Sequence, residues 1–195
     1  AVYSIDNGAY FIKAHLGLRD IGEILDQIKF CSFLDKNNFL VEEHLTDPLV
    51  IDDHLVTITK GIPDSGLPPD NYVWGQVVKN LHIISKDYKG DLPEWDGLKR
   101  VEEALGDLEV SSQTEVFRRE YDRIKELENF SELGRGIIHG DINRGNTIID
   151  TEGDYHLIDF DYCSRAPLEI DIAKRLAATK VSKPDLSEAK EFFWG

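Results

Sequence analysis

β-Prone residues flank Asn7-Gly8 on both sides, in Val2-Tyr3-Ser4-Ile5 and Tyr10-Phe11-Ile12-Lys13. Asn-Gly accepts positive φ at both turn positions, so the segment predicts a β-hairpin. Between Arg19 and Phe33, Ile21, Leu25, Ile28 and either Cys31 or Ser32 recur near the helical period, with Glu23 and Asp26 on the flank. That spacing predicts a short amphipathic helix. Asn38 to Glu43 and His54 to Thr59 read as strands, set apart by Thr46-Asp47-Pro48 and Asp52-Asp53. Residues 1–60 therefore predict an N-terminal lobe built from a small antiparallel sheet and one helix.

The pattern then changes. Gly61 to Asn71 holds three Pro and two Gly, which sustain neither a helix nor a central strand, so 61–71 reads as a connector. After an Asp70 cap, Trp74, Val77, Leu81 and Ile84 repeat at helical spacing, and Val116, Phe117, Tyr121, Ile124 and Leu127 do so again. Ser85 to Gly97 predicts no element. Ile137-Ile138 is a short apolar run, and Asn146 to Asp150 and Tyr155 to Ile158 flank Thr151-Glu152-Gly153-Asp154 as a second hairpin. A charged helix with Ile172, Leu176 and Ala177 on one face follows. Residues 72–195 read as a second, mainly helical lobe.

The chain has 195 residues, with 22 Lys+Arg against 37 Asp+Glu and a net charge of −15. Phosphate backbones are repelled by such a surface, so nucleic acid is not an expected partner. Cys31 and Cys163 are the only cysteines, too few for a disulfide framework, and read as free thiols in a reducing compartment. No apolar run reaches the ~20 residues needed to cross a bilayer, and the start AVYSIDNGAY shows no basic segment followed by an apolar one. A cytoplasmic protein with no membrane partner is the expectation.

Chemistry concentrates in Ile138-His139-Gly140-Asp141-Ile142-Asn143-Arg144-Gly145-Asn146, with Asp159 of Ile158-Asp159-Phe160-Asp161 placed 13 residues beyond Asn146. Phosphoryl transfer from ATP needs these groups together. One carboxylate accepts a hydroxyl proton and orients the nucleophile, while a carboxamide and a second carboxylate hold Mg²⁺ against the phosphates. Asp141 suits the first role, Asn146 and Asp159 the second. His139 reads as a hydrogen-bonding strut for the loop. Asp161 either helps with a second metal ion or only fixes the hairpin. Arg144 either neutralises phosphate charge or meets solvent or a nearby carboxylate.

These motifs resemble the aminoglycoside phosphotransferase and choline kinase branch of the protein-kinase-like fold, with its His-Gly-Asp-x-x-x-x-Asn loop and Ile-Asp-Phe/Trp-Asp/Glu stretch. The resemblance implies a two-lobed α+β fold, Asp141 as catalytic base, Asn146 and Asp159 as metal ligands, and Lys13 of Tyr10-Phe11-Ile12-Lys13 as the strand lysine on the ATP phosphates. Glu23 is then the candidate helix carboxylate paired with Lys13, and adenine lies against Thr59, Lys60 and Ile62. Leu81-His82 and Asp171-Ile172-Ala173 are similar to two further, weaker family motifs; His82 reads as a core or interhelix histidine.

The branch has an additional first strand and a nucleotide-covering loop ahead of the hairpin, whereas 12 residues precede Lys13 here, and 34 follow Asp161 where the family builds much of its acceptor pocket. The expected sheet lacks that first strand in this chain. The expected function is Mg²⁺- and ATP-dependent transfer to a hydroxyl of a small molecule, such as an aminoglycoside, choline or ethanolamine, or homoserine. The acidic surplus favours a cationic acceptor. Alternative readings are a non-catalytic kinase-like binding module and a metal-dependent phosphohydrolase using Asp141, Asp159 and Asp161. A protein acceptor is disfavoured, because no activation segment ends in Ala-Pro-Glu.

Overall fold

The computed structural model describes residues 1–15, 20–109, 111–126 and 133–178. The first hairpin forms as β1 (Val2–Ile5) and β2 (Tyr10–His15), in register Val2 to Lys13 and Ile5 to Tyr10. Its loop is four residues long rather than the two that Asn-Gly alone suggests. Asp6, Asn7 and Gly8 all have positive φ, which Asp and Asn tolerate better than other side chains with a Cβ. Helix α1 (Ile21–Lys36) starts at Asp20, whose carboxylate accepts from the Gly22 amide at 2.7 Å. Its inner face is Ile24, Gln27, Phe30, Cys31 and Leu34, one helical side but not the expected one: of the stripe Ile21, Leu25, Ile28 and Cys31 only Cys31 is buried, and Ile21 is exposed.

Strands β3 (Leu49–Ile51) and β4 (His54–Lys60) complete an antiparallel sheet of order β1-β2-β4-β3. The expected strand over Asn38–Glu43 forms no ladder. That stretch starts at Asn38 with φ 58° and makes single bridges, Val41 with Leu157 and, just beyond it, His44 with Thr59. The sheet's edge is instead Leu49–Ile51, exposed at all three residues, so burial imposed no alternation by which a sequence pattern could mark it.

Residues 61–70 connect to α2 (Asn71–Ile84), capped by Asp70, which accepts from the Val73 amide at 3.0 Å. Two helices follow, α3 (Gly97–Asp107) and α4 (Ser112–Lys125). The sequence reading passed over α3, whose Leu98, Val101 and Leu105 lie inside an acidic tract. In α4 the apolar residues are not all core: Val116 and Phe117 are 48% and 64% exposed. Strand β5 (Arg135–Ile138) pairs with β8 (Ser164–Pro167), β6 (Thr147–Ile149) with β7 (Tyr155–Leu157), and α5 (Glu169–Ala178) closes the described chain. Arg19 and Leu127, and the side chains of Leu176 and Ala177, lie outside the described residues.

A shared core joins α1 to α2 and to the segments around the His139 loop. Phe30 and Leu34 of α1 pack with Trp74, Val78 and Leu81 of α2, with Ile137 and Ile142 around the His139 loop, and with Phe160. Phe30 meets the Phe160 ring edge-on at 6.0 Å and the Tyr88 ring at 5.0 Å. The helix beside the sheet is thereby packed against the segment that carries Asp159 and Asp161. Neither Cys31 nor Cys163 is in a disulfide, and both are buried. Among the described residues no helix is long and apolar enough to cross a membrane.

Candidate active site

The site is built where β5 runs into the His139 loop. Gly140 has φ +82°, and a Cβ there would stand 2.3 Å from the Tyr162 carbonyl oxygen. Only glycine lets the loop approach the Asp161-Tyr162 segment this closely. The amides of His139 and Gly140 donate to the two oxygens of the Asp171 carboxylate at 3.0 and 2.8 Å, and His82 Nε2 lies 2.8 Å from Asp171 Oδ2. Asp171 is fully buried, so its carboxylate is stable there because three donors surround it. Two motifs that were weak in isolation thus meet on the backbone just ahead of Asp141, and His82 is an interhelix contact.

His139 is fully buried. Its Nε2 lies 2.9 Å from the Ile158 carbonyl and its Nδ1 3.3 Å from the Asp141 amide. A carbonyl can only accept and an amide can only donate, so the ring is the neutral Nε2–H tautomer. Burial lowers its pKa and keeps it neutral, against the opposing pull of Asp171. The ring is a strut, as expected of it.

Asn143, which the sequence reading did not single out, organises the turn. Its Oδ1 accepts from the Gly145 and Asn146 amides at 2.7 and 3.2 Å, an Asx-type turn. Its Nδ2 reaches Asp141 Oδ2 at 3.1 Å, and Asn146 Nδ2 reaches the same oxygen at 2.8 Å. Both amides therefore fix Asp141, and the carbonyl oxygen of Asn146 is the end of that side chain left for a cation.

The β6–β7 hairpin returns the chain beside this loop, and the Ile158 amide donates to the Asn146 carbonyl at 3.1 Å. Asp159 follows in the left-handed region, φ 64° and ψ 64°, its amide donating to Glu42 Oε1 at 2.9 Å. Lys13 Nζ stands 2.7 Å from Asp159 Oδ1 and 2.7 Å from Asp161 Oδ2. Burial alone would lower the Lys13 pKa, but the hydrogen bonds and charges of Asp159 and Asp161 outweigh it and hold the ammonium above its usual value. Glu42 is also shifted upwards, in its case by burial itself, partly offset by the Asp159 amide and by Lys13.

A cleft of about 330 Å³ brings together Lys13, Thr59, Lys60, Ile62, Asn146 and Asp159, a size suited to a small ligand. Asp141 is joined to it through Asn146. An adjoining opening of about 750 Å³ is bordered by Glu23, Trp95, Asp96, Gly140 and Tyr162, and shares Lys13 and Asp161 with the cleft. Glu23 is exposed on the first turn of α1, and the described ion pairs of Lys13 are with Asp159 and Asp161 instead. The residue that α1 sends to the site is Gln27, buried, with Nε2 donating to the Asp161 carbonyl at 3.0 Å. Arg144 is exposed on its loop.

The comparisons with known proteins agree with this architecture. A solved amicoumacin kinase in complex with AMP-PNP, Ca²⁺ and Ami superposes with a TM-score of 0.72 at 18% identity, covering 98% of this chain and 65% of that one. The choline kinase LicA from Streptococcus pneumoniae gives 0.71 at 15% identity, covering 100% and 70%. An aminoglycoside-3'-phosphotransferase of type VIII gives 0.67 at 15%, covering 94% and 75%. The chain thus spans about two thirds to three quarters of the length of these proteins. At such identities the likeness is one of fold, and that fold is the two-lobed, protein-kinase-like α+β one. No curated protein matches the sequence. The model of the phosphotransferase enzyme family, however, matches residues 73–193, a span that includes the loop, the hairpin and the Asp171 helix, and the chain accordingly belongs to that family.

Proposed function

We propose that this chain transfers the γ-phosphoryl group of ATP to a hydroxyl of a small molecule. The observation that carries the reading is the joint hold on Asp141 Oδ2 by Asn143 and Asn146, beside a hairpin that sets Asp159 against Lys13. Fixed through Oδ2, Asp141 presents Oδ1 to the acceptor, orients its hydroxyl and receives its proton as the oxygen–phosphorus bond forms and ADP departs. Lys13 lies on the phosphate side. Asn146 and Asp159 would hold Mg²⁺, which neutralises charge building on the phosphoryl oxygens.

The donor set supports such an ion. Among the described residues no three His, Cys, Asp or Glu side chains gather as a metal cage. A carboxylate with one amide oxygen is what Mg²⁺ takes from a protein when phosphates and waters complete its shell. Adenine in this reading lies against Thr59, Lys60 and Ile62 in the cleft, between lobes 1–60 and 72–195 with 61–71 as the connector.

The acceptor in this reading approaches through the adjoining opening. Glu23, Asp96, Trp95 and Tyr162 at its border offer acidic and aromatic surface suited to an amine. Aminoglycosides, choline and ethanolamine fit that chemistry better than homoserine, and choline and aminoglycosides are what solved proteins of this fold are named for. A phosphorylation screen over amino alcohols and aminoglycosides with Mg²⁺-ATP tests it. ADP release that depends on an acceptor supports a kinase, release indifferent to the acceptor indicates a hydrolase, and nucleotide binding without turnover indicates a binding module.

A further inference from the structure

Helix α1 turns Gln27 rather than a carboxylate towards the Lys13 site, and Glu23 is at the outer rim. The carboxylate that does enter from the sheet side is Glu42, on the segment between α1 and β3. That segment is fixed on both sides. The Leu157 amide donates to the Leu40 carbonyl at 3.2 Å beside the Val41–Leu157 bridge, and on the other side the Leu45 amide donates to Ile58 and the Lys60 amide to Glu43, each at 2.9 Å. Glu42 is thus carried on backbone strapped to β4 and to β7 at once.

Its Oε1 accepts from the Asp159 amide at 2.9 Å. This amide falls where the β6–β7 ladder has ended at Leu157 and the backbone enters the left-handed region. The preceding amide, of Ile158, is taken by Asn146, and the kink turns the Asp159 amide away from the ladder. A side-chain acceptor then decides which orientation a left-handed Asp keeps.

We infer that Glu42 is a positioning residue for Asp159: the hydrogen bond from the Asp159 amide sets the carboxylate's distance to Lys13 from the two strapped strands instead of from α1. The inference rests on the phosphotransferase reading, because it is the placement of a metal-holding carboxylate that Glu42 governs. Glu42 also lines the cleft, but its hydrogen bond is to the Asp159 backbone, so the metal-free ATP titration separates a direct contact from positioning. Its effect passes through Asp159.

Calorimetric titration with ATP, with Mg²⁺ and with EDTA, tests it on Glu42→Asp, Glu42→Gln and Glu42→Ala. Shortening to Asp keeps the charge and withdraws the acceptor, whereas Gln keeps an acceptor oxygen and removes the charge. Expected is Mg²⁺-ATP binding weakened about tenfold or more in the Asp and Ala variants, in the range of other lost supports of metal ligands. Metal-free ATP affinity should be unchanged, and Gln should stay within about threefold of the original protein. Asp and Ala variants that bind Mg²⁺-ATP as well as the original overturn the inference, as does a Gln variant as impaired as Asp. If Ala fails to fold, the Asp and Gln pair decides. Absence of Mg²⁺-ATP binding by the original protein overturns the inference and the phosphotransferase reading together, whereas an effect on the metal-free titration alone overturns only the inference.

Discussion

Asp141 is held through one oxygen by two amides, so replacing it by Asn leaves the loop's shape largely in place while removing the proposed proton acceptor. The expected outcome for Asp141→Asn is a kcat lower by about 10²–10⁴-fold with Mg²⁺-ATP affinity nearly unchanged, read by steady-state kinetics and calorimetry. Retention of a third of kcat contradicts the role. Asp159 allows a similarly clean exchange, because Asn also tolerates its left-handed backbone. Asp159→Asn should weaken Mg²⁺-ATP at least about tenfold with little loss of melting temperature. His44 supplies the pH dependence. Burial first, then Lys13 and His15, lower its pKa to about 4, and its Nδ1 is buried without a hydrogen bond. The folded protein keeps this imidazole neutral while the unfolded chain protonates near pH 6.5, so its stabilising share is complete above that pH and is lost as pH falls towards about 4. The share is about 1–3 kcal/mol. Urea denaturation at pH 7 and pH 4 should show a larger loss for the original protein than for His44→Gln, and equal losses would contradict it.

At the level of elements, the loop after β5 and the segment before β8 approach so closely that a single methyl group separates a working arrangement from a strained one. Gly140→Ala places Cβ 2.3 Å from a backbone oxygen at φ +82°, and neither backbone can yield as a flexible side chain would. The expected cost is about 2 kcal/mol or more, seen as a melting temperature lower by about 5 °C or more, with activity reduced because Asp141 is the next residue. Gly106 in α3 has open space around its added Cβ, and Gly106→Ala should be neutral or stabilising by up to about 1 kcal/mol. The contrast separates a glycine required by packing from one that is merely tolerated. The same loop is fastened to α2 and α5 by Asp171, which explains why residues on two helices remote in sequence bear on Asp141.

Over the whole molecule, the net charge of −15 sets a field that gathers cations and repels anions. ATP is an anion, and Lys13 together with bound Mg²⁺ supplies the local compensation in the proposed mechanism. A cationic acceptor gains from the long-range field, and salt screens it within about 8 Å at 0.15 M. Acceptor KM should therefore rise between low and physiological ionic strength while kcat stays level. A KM indifferent to salt, or a best acceptor that is neutral or anionic, contradicts the cationic reading. The two openings share Lys13 and Asp161, and in the proposed mechanism nucleotide and acceptor would reach that point by separate approaches.

What the residues determined by themselves was whatever depends on near neighbours. The hairpin around Asn7-Gly8, α1, α2 with its Asp70 cap and the hairpin around Gly153 follow from turn chemistry and from apolar periods within a few residues. The loop from His139 to Asn146 was legible for the same reason, since spacing along one turn decides which side chains converge. Tertiary structure decided the rest. Lys13 meets Asp159 across 146 positions of chain and Glu42 meets the Asp159 amide across 117, separations over which no local pattern acts. In a chain this rich in acids, Glu23 and Glu42 are equivalent on paper. The rotation of α1, set by burying Ile24, Gln27, Phe30 and Leu34, turns Glu23 outwards, and the straps to β4 and β7 bring Glu42 in. Strands β3 and β8 were missed on the same physical ground: short runs become strands only when a partner takes their hydrogen bonds, and the partner is chosen by the fold.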